Sequence, residues 1–201
     1  MKHLVLKTTS YYIRQAIDHI YSLWYRLFIG HVGKRTLIRR HCRLDGDRLD
    51  RVSIGANCGI DTNFCLGARS ISMKDGKKLV PEIIIGDNCI FGQYNHITAV
   101  NRIVIGNNLL TGKFVLITDN SHGGFNADEM DIHPSRRPVV SKGEVFIGNN
   151  VWLGDKVSVL PGVHIGDGCI VGSNAVVTHD IPAYSIAVGN PARVVKSLIN
   201  E

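Results

Sequence analysis

From Ile147 onward an aliphatic residue returns at every sixth position: Ile147, Leu153, Val159, Ile165, Val171 and Val177. Glycine follows four of them, as Gly148, Gly154, Gly166 and Gly172. A second run reads Ile85-Gly86, Phe91-Gly92 and Ile97, then slips by two residues to Ile105-Gly106, Thr111-Gly112 and Ile117. An earlier run holds Ile54-Gly55, Ile60 and Leu66-Gly67. Neither the 3.6-residue period of a helix nor the alternation of a strand produces a repeat of six. A triangular coil does. Each face takes six residues, three faces close one turn, and successive turns stack by parallel strand pairing so that inward aliphatic side chains form ladders. The expected fold class is all-β, with glycines at corners where a side chain would clash or a positive φ is required.

A small residue is expected four places after each inward aliphatic, and the last run supplies Val151, Val157, Val163, Cys169 and Ala175. The same offset accounts for four of the five cysteines. Cys42, Cys58, Cys89 and Cys169 follow Ile38, Ile54, Ile85 and Ile165 by four, where a thiol acts as a compact hydrophobe. Only Cys65 is off register. No CxxC pair suggests zinc, and disulfides are not expected.

Hydrophobic residues make up 44% of the 201 and charged residues 20%, which excludes wholesale disorder. No apolar stretch reaches the roughly 20 residues of a membrane-spanning helix. No apolar segment with a small-residue cleavage site follows Met1, so the expectation is a cytoplasmic protein. The net charge of +6 is uneven. Residues 1–43 hold nine Lys and Arg against Asp18 alone, and the rest of the chain sums to −2. That segment is either a solvated basic face or a contact for an acidic partner or anionic headgroups. No nucleic-acid motif accompanies the charge, so nucleic acid is not an expected partner.

The repeat, together with the ending GDGCIVGSNAVVTHDIPAYSIAVGNPARVVK (166–196), resembles the bacterial hexapeptide-repeat acyltransferases, and among them the galactoside, maltose and nodulation O-acetyltransferases. The resemblance covers roughly residues 50–196. It implies a left-handed parallel β-helix, an exception to right-handed crossovers, with a long active-site loop; residues 1–45 do not share the resemblance, and their spacing by itself predicts an N-terminal amphipathic helix. The resemblance also implies a homotrimer with sites between adjacent prisms, and acetyl-CoA as co-substrate. The expected acceptor is a hydroxyl on a small molecule or glycan, a sugar or a cell-surface polysaccharide precursor.

Site residues follow from where the repeat breaks. The interruption at 68–82, with Lys74, Asp75, Lys77 and Lys78, reads as a solvent-facing excursion. The loop 119–145 is longer than a compact domain normally leaves without purpose. It opens Asp119-Asn120-Ser121-His122, where many relatives carry Asp-His-x-His; here Asn120 replaces the first histidine. By the resemblance His122 is the general base that deprotonates the acceptor, a role suited to a side chain that exchanges a proton near neutrality. His133, in the same loop, is the fallback. Asn95, His96 and Asn120 are candidates for acceptor binding. Trp152 precedes an inward leucine, so its ring should face out, and the resemblance sets it beside the pantetheine arm. The backbone N–H of Asp155 matches the donor to the thioester oxyanion. Gly154, Ser173 and Thr178 are expected along the coenzyme, with Arg193 and Lys196 at its nucleotide end. No metal site is expected.

The chain divides into a basic helical segment (1–45), the β-helix (46–196) and a tail (197–201). In the first, Ile13, Ile17, Ile20, Tyr21, Trp24, Tyr25 and Phe28 recur at helical spacing across 10–29, with Thr9 or Ser10 as start and Gly30 as stop. Such a stripe is expected to bury against its own protein, with peripheral membrane contact through residues 10–29 as the alternative. Rival functions are a xenobiotic (antibiotic) acetyltransferase, a β-helical zinc carbonic anhydrase lacking an obvious third histidine, and a non-catalytic scaffold.

Overall fold

The computed structural model describes residues 2–72, 78–123 and 127–199. Through most of the chain a two-residue strand alternates with a four-residue corner, which is how a period of six arises. Strands such as Val52–Ile54, Glu82–Ile85, Arg102–Ile105 and Val145–Ile147 stack in parallel as a first face. Gly59–Ile60, Ile90–Phe91, Leu110–Thr111, Trp152–Leu153 and Ile170–Val171 form a second, and Cys65–Ala68, His96–Ala99, Leu116–Thr118, Ser158–Val159 and Val176–Val177 a third. The result is a parallel β-helix of triangular section. The antiparallel strand Arg193–Ser197 closes the second face, so Ser197, assigned to a tail, belongs to the sheet; Asn200 and Glu201 lie outside the described residues.

Every member of the two inward series expected from Ile147 to Val177 is buried, and together they form one continuous core with their counterparts below. Cys58, Cys89 and Cys169 are buried as the offset requires, and Cys42 is half-buried beneath Tyr25. Burial pushes the Cys42 thiol up to about 12, which keeps it protonated and unreactive. Corner chemistry is split between two positions. At the first corner residue a Cβ on Gly106 would meet the Gly148 carbonyl carbon and Asn149 Oδ1 at 2.8 Å, so glycine is demanded by close approach of the next coil. The positive φ falls two residues later, on Asn57, Asn88, Asn108 and Asn150, asparagine being the side chain that best tolerates it after glycine.

The corners joining first to second face, and second to third, are four residues long at every turn. All the interruptions of the repeat fall on the remaining edge, between third and first faces. The 68–82 break begins and ends as an antiparallel pair, Ile71–Ser72 with Lys78–Leu79; Lys74, Asp75 and Lys77 lie outside the described residues. The two-residue slip occupies 100–101 of the same edge, and the long loop leaves it after Thr118 and rejoins at Val145.

The N-terminal segment departs from expectation in three ways. Its helix, α1, runs Lys2–Tyr25, so Thr9 and Ser10 are interior to it. Residues 31–45 belong to the β-helix, since His31–Val32, Leu37–Ile38 and Arg43–Asp45 form its first coil; the boundary lies near residue 30. Third, the face of α1 that packs is polar. Asp18, Ser22 and Tyr25 are buried, while Ile13, Ile17, Ile20, Tyr21, Trp24 and Phe28 stay exposed. The reason is what the open end of a β-helix offers, namely backbone groups with no further coil to pair with. The Ser22 hydroxyl accepts from Ile38 N–H at 3.1 Å, and the Tyr25 hydroxyl accepts from Cys42 N–H at 3.0 Å and donates to its carbonyl at 3.1 Å. Arg26 donates to the carbonyls of Val32, Gly33 and Thr36 at 2.7–3.1 Å. Asp18 accepts from Arg40 Nη1 at 2.8 Å. Replacing Arg26 by Ala should cost about 1–3 kcal/mol, as carbonyls at the prism end lose a charged donor; calorimetry on the purified variant measures it.

Candidate active site

The long loop is a hairpin. Asn120–His122 pairs antiparallel with Val139–Ser141, setting His122 opposite Val139. Its base is fixed by Asp119, which is fully buried. The carboxylate accepts from Val100 N–H at 2.9 Å, Asn101 N–H at 2.8 Å and Asn120 Nδ2 at 3.1 Å. Burial holds this carboxyl above its ordinary range despite those donors. Asp119 thus ties the hairpin to the neighbouring coil at the two-residue slip, a positioning role sequence reasoning missed. Asn120 also donates to the Thr98 carbonyl at 3.2 Å. Because strand residues alternate faces, Asn120 and His122 share one side of the hairpin, and the His122 side chain is exposed. His133, by contrast, is used locally: its Nδ1 lies 2.8 Å from Ser135 Oγ and caps the turn Pro134–Arg136.

Asn95 requires a correction. It is 1% exposed and lies inside the prism. Its amide nitrogen donates to Thr111 Oγ1, and its Oδ1 accepts from Val115 N–H at 2.7 Å. It occupies the small inward position four residues after Phe91, so it cannot reach an acceptor outside the coil. Asn95→Ala should lower stability by about 1–3 kcal/mol, leaving a buried hydroxyl and amide unpaired, with the acceptor KM unchanged; steady-state kinetics beside a thermal melt checks both. His96, next in sequence, does face out, beside Cys65 on the third face. Partial burial, with Arg43 adding to it, pushes its imidazole below the ordinary range.

Trp152, Gly154, Asp155 and Ser173 gather on the second face and its edge with the third. Trp152 is 50% exposed and points outward, in register with Leu110 and Ile170. At the corner that follows, Asp155 Oδ1 accepts the Lys113 N–H at 2.7 Å. This is the habit of the other regular edge, where Asp87, Asn107, Asn149 and Asp167 each take an N–H from the coil below. Above Asp155 stands Ser173, whose side chain is shorter. Among the described residues no side chain or carbonyl accepts the Asp155 N–H, and it remains available to an outside acceptor. Gly154 lies against Ser173, where a Cβ would meet its N and Oγ at 2.7 Å. Thr178 follows the third-face strand Val176–Val177 and lies on the third-to-first edge, as the hairpin does, its hydroxyl 2.8 Å from His179 Nδ1. Beside it a groove of about 320 Å³ is lined by His179, Asp180, Ala192 and Arg193. Lys196 is exposed on the strand that closes the second face. Within one prism, then, the hairpin carrying His122 and the corner carrying Asp155 sit on different edges. Among the described residues no three His, Cys, Asp or Glu side chains converge as metal ligands.

A repeat of this kind on a triangular β-helix with one decorated edge defines a class. Residues 144–179 match the family described as bacterial transferase hexapeptide (six repeats). It is similar to a protein of Escherichia coli K12 named as a lipopolysaccharide biosynthesis O-acetyl transferase, WbbJ, at 40% identity over 123 residues, 59% of this chain and 62% of that one. A named acetyltransferase of Mycobacterium tuberculosis, Rv3034c, is 43% identical over 112 residues, covering 56% of this chain and 36% of its own. The chain thus spans less than two thirds of the length of these relatives. The fold is shared with AntD, an N-acyltransferase from Bacillus cereus solved with dTDP and 3-hydroxybutyryl-CoA (TM-score 0.69, 21% identity, 87% of this chain and 86% of that one). It is also shared with the hexapeptide-repeat acetyltransferase VCA0836 of Vibrio cholerae, solved with acetyl coenzyme A (TM-score 0.57, 21% identity, 94% and 82%).

Proposed function

We propose that this protein is a cytoplasmic acetyl-CoA-dependent O-acetyltransferase, a left-handed prism acting as a homotrimer on a hydroxyl of a sugar or cell-surface glycan precursor. The observation that carries the reading is the split of the site residues over two edges. The His122 hairpin on one edge and the outward Trp152 with the unclaimed Asp155 N–H on another make half-sites, and two prisms side by side complete them. Closed threefold association does this for every copy at once.

In the proposed reaction neutral His122 takes the acceptor hydroxyl proton as the oxygen attacks the thioester carbonyl. The developing oxyanion is met by Asp155 N–H, a donor of the kind worth about 2.7–4 kcal/mol in the transition state. The C–S bond then breaks, and the departing thiolate recovers the proton from the imidazolium. Trp152, Gly154, Ser173 and Thr178 would line the pantetheine, with Arg193 and Lys196 toward the phosphates. Asn120 and His96 are left as acceptor-side groups. The acetyltransferase names of relatives and the coenzyme in two structures of the same fold support the choice of donor.

The test is a turnover screen. Purified protein with acetyl-CoA is challenged with simple sugars, sugar nucleotides and amino acids, and free thiol release is followed. Thiol release with a hydroxyl acceptor, and an O-linked acetyl in the product, is expected. Transfer confined to amines would overturn the O-acetyl assignment.

A further inference from the structure

The side of α1 facing away from the prism is apolar through several turns. Ile13, Ile17, Ile20, Leu23 and Trp24 are all exposed, Leu23 at 68%, and Leu27, in the turn just past the helix, is 77% exposed. On a helical projection of residues 10–25 the arc from Tyr12 round to Ile17 holds no charged residue. The packing described above explains why this face is left over, since the polar side of the helix is consumed in capping the first coil. Exposed apolar surface of this extent, rimmed by polar groups, marks an interaction site.

Charge selects the occupant. Within residues 10–43 the one acid, Asp18, is buried and paired with Arg40. Arg14, Lys34 and Arg35 are exposed around the apolar face. Between α1 and the first coil opens a groove of about 340 Å³ lined by His19, Leu23, Arg26, Arg35 and Thr36, an apolar floor with cationic walls. No helix of the described residues is long and apolar enough to cross a membrane. An apolar helix face bordered by cations, too short in hydrophobic run to span, lies in the plane of a bilayer interface.

We propose that α1 docks the protein reversibly onto an anionic lipid bilayer, with Ile13, Ile20, Leu23 and Trp24 inserted at the headgroup boundary and Arg14 and Arg35 against lipid phosphates. This goes beyond the transferase reading and stands or falls separately from it.

The test is co-sedimentation of the full-length protein with vesicles of phosphatidylcholine alone or mixed with phosphatidylglycerol. Binding is expected to the mixed vesicles only and to weaken at high salt. Ile20→Asp with Leu23→Asp should lower binding at least about tenfold, since two inserted side chains are lost. Both positions are exposed, so the variant should keep its melting temperature and its turnover of soluble acceptor. Failure to bind either vesicle, equal binding to both, or equal binding by the double variant would overturn the proposal. So would light scattering that shows the double variant to have lost an oligomer, because a second copy would then be what covers this face.

Discussion

Replacing His122 by Ala should lower kcat by at least about 100-fold, the usual scale of a positioned acid–base group, while leaving the melting temperature unchanged. The side chain is exposed on the hairpin. What holds it in place is Asp119 and the pairing of Asn120–His122 with Val139–Ser141, and neither involves the imidazole. The comparison with His133→Ala sharpens the result. His133 serves its own turn through Ser135, so its loss should change the rate by less than about threefold, within the range of a surface substitution. A near-normal rate for His122→Ala would remove it from the chemistry.

The second large effect is on stability. Leu153→Ala should cost about 2–5 kcal/mol, the range for deleting a buried leucine side chain, and lower the melting temperature by roughly 5–15 °C. Leu153 is fully buried and sits in the inward ladder between Thr111 below and Val171 above. In a stacked coil the loss is felt by both neighbours, since each turn is covered only by the turns beside it. Leu23→Ala, on the open face of α1, is the control: the same change should cost less than about 0.5 kcal/mol, as surface changes do. Denaturant titration of the two variants reads the difference directly.

The period of six made the prism legible in the sequence because it is a steric rule repeated at every coil. Two residues of strand and four of corner leave no other spacing for Ile147 through Val177. The same rule sets Asn95, four places after Phe91, at a small inward site, whereas the family resemblance points it to acceptor binding. The terminal helix packs through its polar side, opposite to its apolar stripe, for a physical reason. Amphipathic reasoning assumes that the core a helix meets is apolar, whereas the end of a β-helix presents unpaired backbone donors and acceptors, and Asp18, Ser22, Tyr25 and Arg26 answer those. The hairpin and its anchor Asp119 lie where periodicity stops. That Asp155 keeps a free N–H depends on Ser173 standing one coil above, a contact between residues far apart in sequence that no local pattern reveals.

The proposal that one catalytic centre is shared between two copies can be tested by mixing two inactive proteins. One carries His122→Ala, and the other carries Trp152→Ala with Arg193→Glu to disable the coenzyme side. After the two are dissociated and reassembled together, the account predicts that acetyl transfer returns, because a sound hairpin from one parent then faces a sound coenzyme edge from the other. Mixed oligomers that form but remain as inactive as their parents would contradict it and confine the site to a single chain.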